Sequence, residues 1–433
     1  MAGATRARGR PRPLVALAAV LAAAAALIAP AVSLAAGGAG FAGPPVDSPL
    51  GTVPPGHARP PSIHSPEAIV LDATTGTVLY VKNPAARRPI ASTTKLMTAL
   101  ITLQTTRPDQ VMTAQPYPAT PSESTLGLVP GERMTVNDLL HALLLASAND
   151  AAVTLADGIS GSEKAFVARM NAEAHRLGLH DTRYANPVGL DDPNGYSSAR
   201  DLATLTRHLL RDRRFASIVD MSQARLTSGA HPRKIVNSND LVGTHRFVDA
   251  VKTGHTSHAG YILMGAAHRD GAHVISVVLD EPSQGARDSE TLALLRYGLG
   301  RFTRVTIHSR TIDLVNVKNY DLRAPLRPGH DLNPAVLRGS SLRLRIYPPI
   351  IVRGPLPAGY TVGDVTLYAN DQPVTRAPLV TAERVPEASL GRVILIKLSN
   401  GDAALGCGVL GVALLLALRV SRSPMLKRGR TGT

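Results

Sequence analysis

The sequence of 433 residues contains one cysteine, no tryptophan and only five phenylalanines. The single cysteine, Cys407, excludes an intramolecular disulfide, so the folded core must be stable without one. No internal repeat of fixed period is visible, so the sequence does not indicate a solenoid architecture. The hydrophobic content of 44% is ordinary for a globular protein, and the length is sufficient for two domains.

Clustered basic and aromatic residues are also lacking in the middle of the chain, although the formal net charge is +15. Basic residues that flank apolar segments orient those segments in membranes. Such residues supply nine of the charges, at Arg6, Arg8, Arg10, Arg12, Arg419, Arg422, Lys427, Arg428 and Arg430. We therefore expect no nucleic acid partner, whereas an anionic surface is compatible with the charge.

The N-terminal arginines are followed by an uncharged, largely apolar stretch from Pro13 to Ala36. A basic segment, an apolar segment and small residues around Ser33-Leu34-Ala35 are typical of a secretory signal peptide. An uncleaved membrane anchor is the alternative, since the stretch is long enough to span a bilayer. Residues 1–36 are therefore predicted to export the rest of the chain, as a signal peptide or as a signal anchor.

A second apolar stretch runs from Ala403 to Leu418 and precedes the C-terminal basic residues. It is shorter than the about 20 residues that usually cross a bilayer, so a buried core helix is an alternative. The basic residues that follow favour a membrane span whose end stays in the cytoplasm. We predict a transmembrane segment over residues 403–420 and a basic cytoplasmic tail over residues 421–433.

Gly37 to Ser62 is rich in proline and glycine and poor in large apolar residues. This composition predicts an extended linker over residues 37–64 that buries no core. Such a linker would hold the following domain away from the membrane.

Residues 65–301 combine strand patterns at both ends with helical patterns between them, which predicts an α+β domain. A β-hairpin is expected from Ala68–Leu71 and Thr77–Val81. Thr135 and Asp138 resemble a capping box that opens an amphipathic helix. The other predicted elements are a buried helix over Ser92–Leu103, strands over Phe247–Lys252, Tyr261–Ala267 and His273–Leu279, and a final helix over Asp288–Leu299.

Residues 302–400 have a different sequence pattern, with short apolar runs separated by Pro, Gly, Asn and Asp. The runs are Leu342–Tyr347, Tyr360–Tyr368 and Arg392–Leu398. They predict a small C-terminal β-rich domain. Because it ends just before the second apolar stretch, it is expected to act as a stalk.

Three short motifs in the α+β domain carry candidate chemistry, and the first is Ser92-Thr93-Thr94-Lys95. On a helix, a serine and a lysine three residues apart point to the same face. A serine hydroxyl needs a neighbouring base to become a good nucleophile, and a lysine can be that base if burial or positive charge lowers its pKa. The alternative is an N-cap serine beside a solvated lysine, because the pattern by itself is common.

The second motif, Ser147-Ala148-Asn149, directly follows the amphipathic helix. A hydroxyl at this point could relay a proton to a leaving amine, and the Asn149 amide could hold a substrate backbone. By itself, such a tripeptide more often marks a helix break than a site.

The third motif, Lys252-Thr253-Gly254, is predicted at the end of a strand. A cationic lysine, a hydroxyl and a glycine without a side chain would let a peptide with a free carboxylate lie along this strand. The alternative is a strand that ends in a turn. The three motifs together, in this order, favour the catalytic interpretation.

The set resembles the Ser-x-x-Lys, Ser-x-Asn and Lys-Thr-Gly signature of penicillin-binding proteins and serine β-lactamases. The surrounding sequence is similar to the D-alanyl-D-alanine carboxypeptidase family among the low-molecular-mass penicillin-binding proteins. The similar segments are Ala91–Ala99, Ser147–Ala152, Asn186–Leu190, Tyr196–Asp201, Val251–Gly260 and, more loosely, Pro378–Ala382. The resemblance implies a DD-peptidase/β-lactamase-like α+β fold over residues 65–301, with a mainly antiparallel sheet and a helical lobe.

The resemblance also implies an activity, the removal of the terminal D-alanine from peptidoglycan stem pentapeptides through an acyl-enzyme. Ser92 would attack, Lys95 would take its proton, and Ser147 would help to protonate the departing D-alanine. Substrate binding is implied for Asn149, Lys252, Thr253, Gly254 and His255. The backbone N–H groups of Ser92 and His255 would bind the oxyanion, and Thr256 would complete the third motif.

β-Lactams are implied as inhibitors that acylate the same serine. No metal or organic cofactor is implied, in agreement with the lack of clustered histidines. The expected location is the cell membrane, with the catalytic domain on the extracytoplasmic face. One alternative is D,D-endopeptidase or β-lactamase activity with the same residues, although the extra β-rich domain argues against a freely secreted β-lactamase. The other is an inactive wall-binding protein, which the intact motifs disfavour.

Overall fold

In a computed structural model of the chain, the residues described are 38–39, 42–56, 58–318, 322–387, 389 and 391. The predicted signal segment, the C-terminal apolar segment, the basic tail and the strand predicted over Arg392–Leu398 lie outside these residues. None of the described helices combines the length and the apolar character that a bilayer crossing requires.

The described residues form seven α-helices and nineteen strands. The helices are α1 (Lys95–Thr105), α2 (Val136–Leu144), α3 (Asn149–Ser160), α4 (Glu163–Arg176), α5 (Ala199–Leu209), α6 (Arg213–Val219) and α7 (Gln284–Gly300). The strands up to residue 281 are β1 (Gly38–Ala39), β2 (Val46–Thr52), β3 (Glu67–Asp72), β4 (Val78–Lys82), β5 (Val111–Thr113), β6 (Arg133–Thr135), β7 (Gln223–Leu226), β8 (Arg233–Val236), β9 (Val248–Thr256), β10 (Gly260–Arg269) and β11 (Ala272–Glu281). The later strands are β12 (Phe302–Arg304), β13 (Asp313–Val317), β14 (Arg323–Pro328), β15 (Ala335–Leu337), β16 (Ser341–Tyr347), β17 (Ile351–Arg353), β18 (Thr361–Ala369) and β19 (Gln372–Thr381).

A five-stranded antiparallel sheet in the order β4-β3-β11-β10-β9 organises residues 63–300, which we call the α+β domain. Both faces of the sheet are covered. Along β10, Ile262 and Met264 belong to the core shared with helices α1 to α6, whereas Leu263 belongs to the core under α7. Because side chains alternate between the faces of a strand, a strand covered on both sides must be apolar throughout. The α+β prediction and the β3–β4 hairpin are confirmed.

The helices begin close to the predicted positions, with two differences. Thr135 caps α2, since its hydroxyl oxygen accepts from the backbone N–H of Asp138, which confirms the capping prediction. The helix predicted over Ser92–Leu103 is divided into a 3₁₀ turn, Ala91–Thr94, and α1. The last helix begins four residues before the predicted start, because the side chain of Ser283 caps it.

An eight-stranded sheet in the order β1-β17-β13-β14-β19-β18-β16-β2 forms the second body, the β domain. Its core is a separate cluster of buried aliphatic residues that includes Leu326, Val352 and Leu379. The predicted C-terminal β-rich domain is therefore confirmed as a β structure.

The prediction of an extended linker over residues 37–64 that buries no core is wrong. Strand β2 pairs with β16 along the edge of the β domain, and the Asp47 carboxylate accepts hydrogen bonds from Arg343 and Arg345 at 2.9 and 2.8 Å. Val53 and Ile63 are buried. An edge strand needs only one row of backbone partners and little apolar surface, so a proline- and glycine-rich segment can form it.

Candidate active site

Ser92 is held in the 3₁₀ turn that leads into α1. Ala91 before it has a φ of 46°, a left-handed conformation that is costly for a residue other than glycine. Thr93 closes the turn, because its hydroxyl donates to the carbonyl of Ile90 at 2.6 Å. The backbone N–H of Thr93 donates to the same carbonyl at 3.1 Å, so both groups of Thr93 fix the turn that carries Ser92.

Lys95 lies directly against the candidate nucleophile. Its Nζ is 2.9 Å from Ser92 Oγ and donates to the carbonyl of Val188 at 2.7 Å. The side chain is fully buried. Burial, and after it the positive charge of Lys252, holds the pKa of Lys95 well below its usual value of 10.5. A neutral amine in hydrogen-bond range of a serine hydroxyl can take its proton.

The segment Asn186–Leu190 forms the wall that holds Lys95. The Asn186 carboxamide oxygen accepts from the backbone N–H groups of Val188, Gly189 and Leu190, at 3.2, 2.6 and 3.1 Å. Gly189 has a φ of 90°, and a Cβ there would stand 1.9 Å from the carbonyl oxygen of Ala91. Only glycine therefore lets the wall pass this close to the 3₁₀ turn.

Ser147 occupies the turn between α2 and α3 in a strained conformation. Its φ is 57°, and left-handed backbone costs a non-glycine residue about 1–2 kcal/mol. Its hydroxyl is buried and has no hydrogen-bond partner among the residues that the structure describes. Buried hydroxyls are normally paired, so a strained, unpaired one indicates a candidate functional position.

Asn149 begins α3 and is tied to the loop between β5 and β6. Its Nδ2 donates to Glu123 Oε2 at 2.7 Å, and its backbone N–H donates to the carbonyl of Ser124 at 2.8 Å. The next residue, Asp150, accepts from the backbone N–H groups of Leu126 and Leu128. The second motif is therefore fixed by its own neighbours and by a loop some 25 residues earlier.

Strand β9 carries the third motif at the open edge of the five-stranded sheet. The sequence predicted this motif at the end of a strand. In the structure it lies inside the strand, because pairing with β10 continues to Thr256. An exposed strand edge can accept an added peptide strand.

Lys252 is almost fully buried beside Thr253. Its Nζ donates to the carbonyl of Thr253 at 3.0 Å. Burial, and after it the charge of Arg287, lowers the pKa of Lys252 to about 7. Burial therefore opposes the cationic form that the sequence predicts for Lys252.

A chain of contacts joins the second and third motifs. Ser238 lies 2.9 Å, hydroxyl oxygen to hydroxyl oxygen, from Thr253, and its backbone N–H donates to the carbonyl of Leu145 at 2.9 Å. Leu145 precedes Ser147 in the turn between α2 and α3. The structure thus brings the three motifs to one place.

Gly254 and His255 follow Thr253 along β9. A Cβ at Gly254 would lie 3.0 Å from Thr93 and 3.2 Å from Ala91, so this glycine lets β9 pack against the 3₁₀ turn. The His255 ring is exposed and stacks on Tyr261, with ring centroids 3.9 Å apart. Thr256 Oγ1 donates to Asp191 at 2.7 Å.

Several residues of the site were missed by sequence reasoning. Glu123, Val188, Ser238 and Arg287 contact the motif residues or act on their charge, but none belongs to a short motif with recognisable chemistry. The similarity of Asn186–Leu190 to family segments was the one signal that pointed to this wall. Among the described residues, no group of three or more His, Cys, Asp and Glu could hold a metal ion.

Comparison with known proteins agrees with this geometry. The family model for D-alanyl-D-alanine carboxypeptidase matches residues 55–283. The carboxypeptidase DacD of Escherichia coli is 34% identical over an alignment of 361 residues that covers 77% of this chain and 89% of the relative. The carboxypeptidase DacF of Bacillus subtilis is 29% identical over 348 residues, with the same coverage of 77% and 89%.

Solved structures show the same similarity. Penicillin binding protein 5 of Haemophilus influenzae has a TM-score of 0.55 and 29% identity, covering 76% of this chain and 99% of that chain. A DD-transpeptidase of a Streptomyces strain, solved as a mutant, has a TM-score of 0.53 and 31% identity, covering 55% and 98%. With the serine, the two buried lysines and the strand edge assembled as described, the chain belongs to the D-alanyl-D-alanine carboxypeptidase family.

Proposed function

We propose that the chain is a serine D-alanyl-D-alanine carboxypeptidase that acts on peptidoglycan stem pentapeptides. The observation that carries this proposal is the Lys95 amine, which is buried, held below its usual pKa and 2.9 Å from Ser92 Oγ. Family membership supplies the substrate class. The same serine reacts with β-lactams, because their strained amide and carboxylate resemble the D-alanyl-D-alanine terminus.

In the acylation step, Ser92 Oγ attacks the carbonyl carbon between the last two D-alanines while Lys95 takes the hydroxyl proton. The backbone N–H groups of Ser92 and His255 stabilise the oxyanion. The carbon–nitrogen bond then breaks, and a proton delivered through the Ser147 hydroxyl leaves with the D-alanine amine. Water hydrolyses the resulting ester and releases the shortened peptide.

Substrate recognition takes place along the free edge of β9. The peptide adds as a strand, with its terminal carboxylate at Lys252 and Thr253. A bound carboxylate favours the protonated form of Lys252, whose pKa of about 7 makes that change inexpensive. Arg287 adds positive charge at this end of the site.

Attachment to the cell membrane is part of the proposal. The apolar sequence segments within residues 1–36 and 403–420, each next to basic residues, support it. The catalytic domain would then face the extracytoplasmic side. If the N-terminal segment is cleaved, deleting residues 403–433 is expected to move the protein from the membrane fraction to the soluble fraction. If the shortened protein stays in the membrane fraction, the N-terminal segment is the anchor.

Transfer of the acyl group to an amine in place of water is a second candidate reaction. It is favoured by the similarity to the Streptomyces DD-transpeptidase, 98% of which is covered. Both reactions pass through the same acyl-enzyme, so they differ only in the acceptor.

The test combines labelling with a fluorescent penicillin and release of D-alanine from a synthetic pentapeptide. The unmodified protein is expected to bind one penicillin per chain and to release D-alanine, and Ser92→Ala to do neither. Ser289→Ala, which changes an exposed serine on α7, is the matched control and should behave as the unmodified protein. Stoichiometric labelling of Ser92→Ala would show that another residue is the nucleophile. Cleavage of cross-linked dimers only would identify an endopeptidase.

A further inference from the structure

Glu123 stands behind Asn149 in the loop that joins β5 to β6. Its Oε2 accepts from Asn149 Nδ2 at 2.7 Å and from the hydroxyl of Tyr117. Its Oε1 accepts from the backbone N–H and the hydroxyl of Thr120, at 3.0 and 3.1 Å. Both carboxylate oxygens are therefore in use, and the group is held from the loop side and from α3.

These donors keep Glu123 ionised. Burial opposes ionisation, but the hydrogen bonds from Thr120, Tyr117 and Asn149 outweigh it and lower the pKa of Glu123 to about 2. The group is therefore a carboxylate throughout the pH range in which an exported enzyme works. An ionised carboxylate only accepts hydrogen bonds.

A pure acceptor decides which way the Asn149 amide points. A side-chain amide carries a donor group and an acceptor oxygen at its two ends, and turning it over exchanges them. Only the donor end can face Glu123. Among the described residues, none donates a hydrogen bond to Asn149 Oδ1, so this oxygen is left for another partner.

The Glu123 carboxylate also acts on the reacting groups from a distance. The negative charges of Glu123 and Asp150 raise the pKa of Lys95, against the larger effects of burial and Lys252. The Glu123 carboxylate, and Asn149 bound to it, therefore lie within electrostatic range of the Lys95 amine that activates Ser92.

We propose that Glu123 is a positioning residue, which fixes the Asn149 amide so that its carbonyl oxygen faces the reacting groups and the substrate. This inference rests on the proposed function, since it assigns the partner of a residue in that site. Glu123 itself touches neither Ser92 nor the substrate. It acts through Asn149, and through its charge on Lys95.

A double-mutant cycle tests the coupling between the two side chains. The rate of acylation by a fluorescent penicillin is measured for Glu123→Ala, Asn149→Ala and the double variant. Glu123→Ala is expected to slow acylation about tenfold or more, as for the loss of a hydrogen bond to a charged group. In the Asn149→Ala background the same change is expected to slow it less than about twofold. An equal slowing in both backgrounds, or none in either, overturns the proposal.

Glu123→Gln separates orientation from charge. A glutamine can present an oxygen to Asn149 Nδ2, so part of the acylation rate should return relative to Glu123→Ala. Loss of the charge should move the rising limb of the pH–rate profile to lower pH, because the carboxylate that raises the pKa of Lys95 is gone. A merely structural role for Glu123 would leave this limb unmoved.

Ser122→Ala is the matched control, because Ser122 is the exposed neighbour of Glu123 in the same loop, and its hydroxyl pairs with the hydroxyl of Thr120 at 3.1 Å and not with the Glu123 carboxylate. It should acylate at the rate of the unmodified protein. Penicillin acylation also separates this proposal from the proposed function. If the unmodified protein is acylated but releases no D-alanine, carboxypeptidase activity is refuted while the cycle still decides the role of Glu123. If it is not acylated at all, both proposals are overturned.

Discussion

Replacing Lys252 by methionine should stabilise the protein at low pH but not at high pH. Methionine keeps an unbranched chain of similar length and removes the charge. Lowering the pKa of Lys252 from its usual 10.5 to about 7 means that the charged form is disfavoured in the fold by about 5 kcal/mol. The variant loses the hydrogen bond to the Thr253 carbonyl, which contributes about 1 kcal/mol.

The direction of this pH dependence follows from the number of protons that the folded and the unfolded states bind. Between about pH 7 and pH 10.5 the unfolded chain holds a proton on this lysine that the folded chain has lost. The stability of the unmodified protein therefore rises with pH through this window. Below about pH 7 the protein bears the full cost of burying a charged Lys252. The Lys252→Met variant should be more stable by about 4 kcal/mol near pH 6, and the difference should vanish near pH 10.

Urea unfolding followed by far-ultraviolet circular dichroism measures this difference, since the sequence has no tryptophan to report by fluorescence. Lys234→Met, which changes an exposed lysine on β8, is the matched control and should show no comparable dependence on pH. An advantage of Lys252→Met that stays constant from about pH 6 to about pH 10 would refute a desolvated lysine in the fold.

Two further substitutions test the backbone of the site. Gly254→Ala places a Cβ 3.0 Å from Thr93 and 3.2 Å from the carbonyl of Ile90, so β9 must move away from the 3₁₀ turn. Penicillin acylation should therefore slow about tenfold or more. Gly285→Ala is the control, because nothing lies within 4 Å of the added Cβ, and it should not change the acylation rate. Ser147→Gly removes the left-handed strain, so the free energy of unfolding should rise by up to about 1 kcal/mol while acylation slows, as measured by urea unfolding and penicillin labelling. A loss of stability in Ser147→Gly would contradict the strain, and an unchanged rate in Gly254→Ala would contradict the close packing.

Local elements were predictable because local contacts form them. The β3–β4 hairpin depends on a short turn, and the start of α2 depends on the hydrogen bond from the Asp138 backbone N–H to the Thr135 hydroxyl, three residues earlier. The prediction failed where partners lie far apart in sequence. Strand β2 pairs with β16 nearly 300 residues later, and proline and glycine in the segment hid this edge strand.

The boundaries of β9 show the same limit at the site itself. The sequence predicted that the third motif lies at the end of a strand, where Gly254 would leave room for a bound peptide. In the structure the strand continues, because the 3₁₀ turn packs where a side chain would otherwise stand. Only the approach of a second segment distinguishes these two uses of glycine.

The sequence by itself determined the chemical groups, their order along the chain and the local elements that carry them. The tertiary structure decided their chemical state. Lys95 loses its proton readily because distant segments bury it and bring Lys252 close to it, and Asn149 is oriented by a carboxylate from another loop. The pKa of a side chain depends on its solvent and on nearby charges in space, which no spacing along the chain specifies.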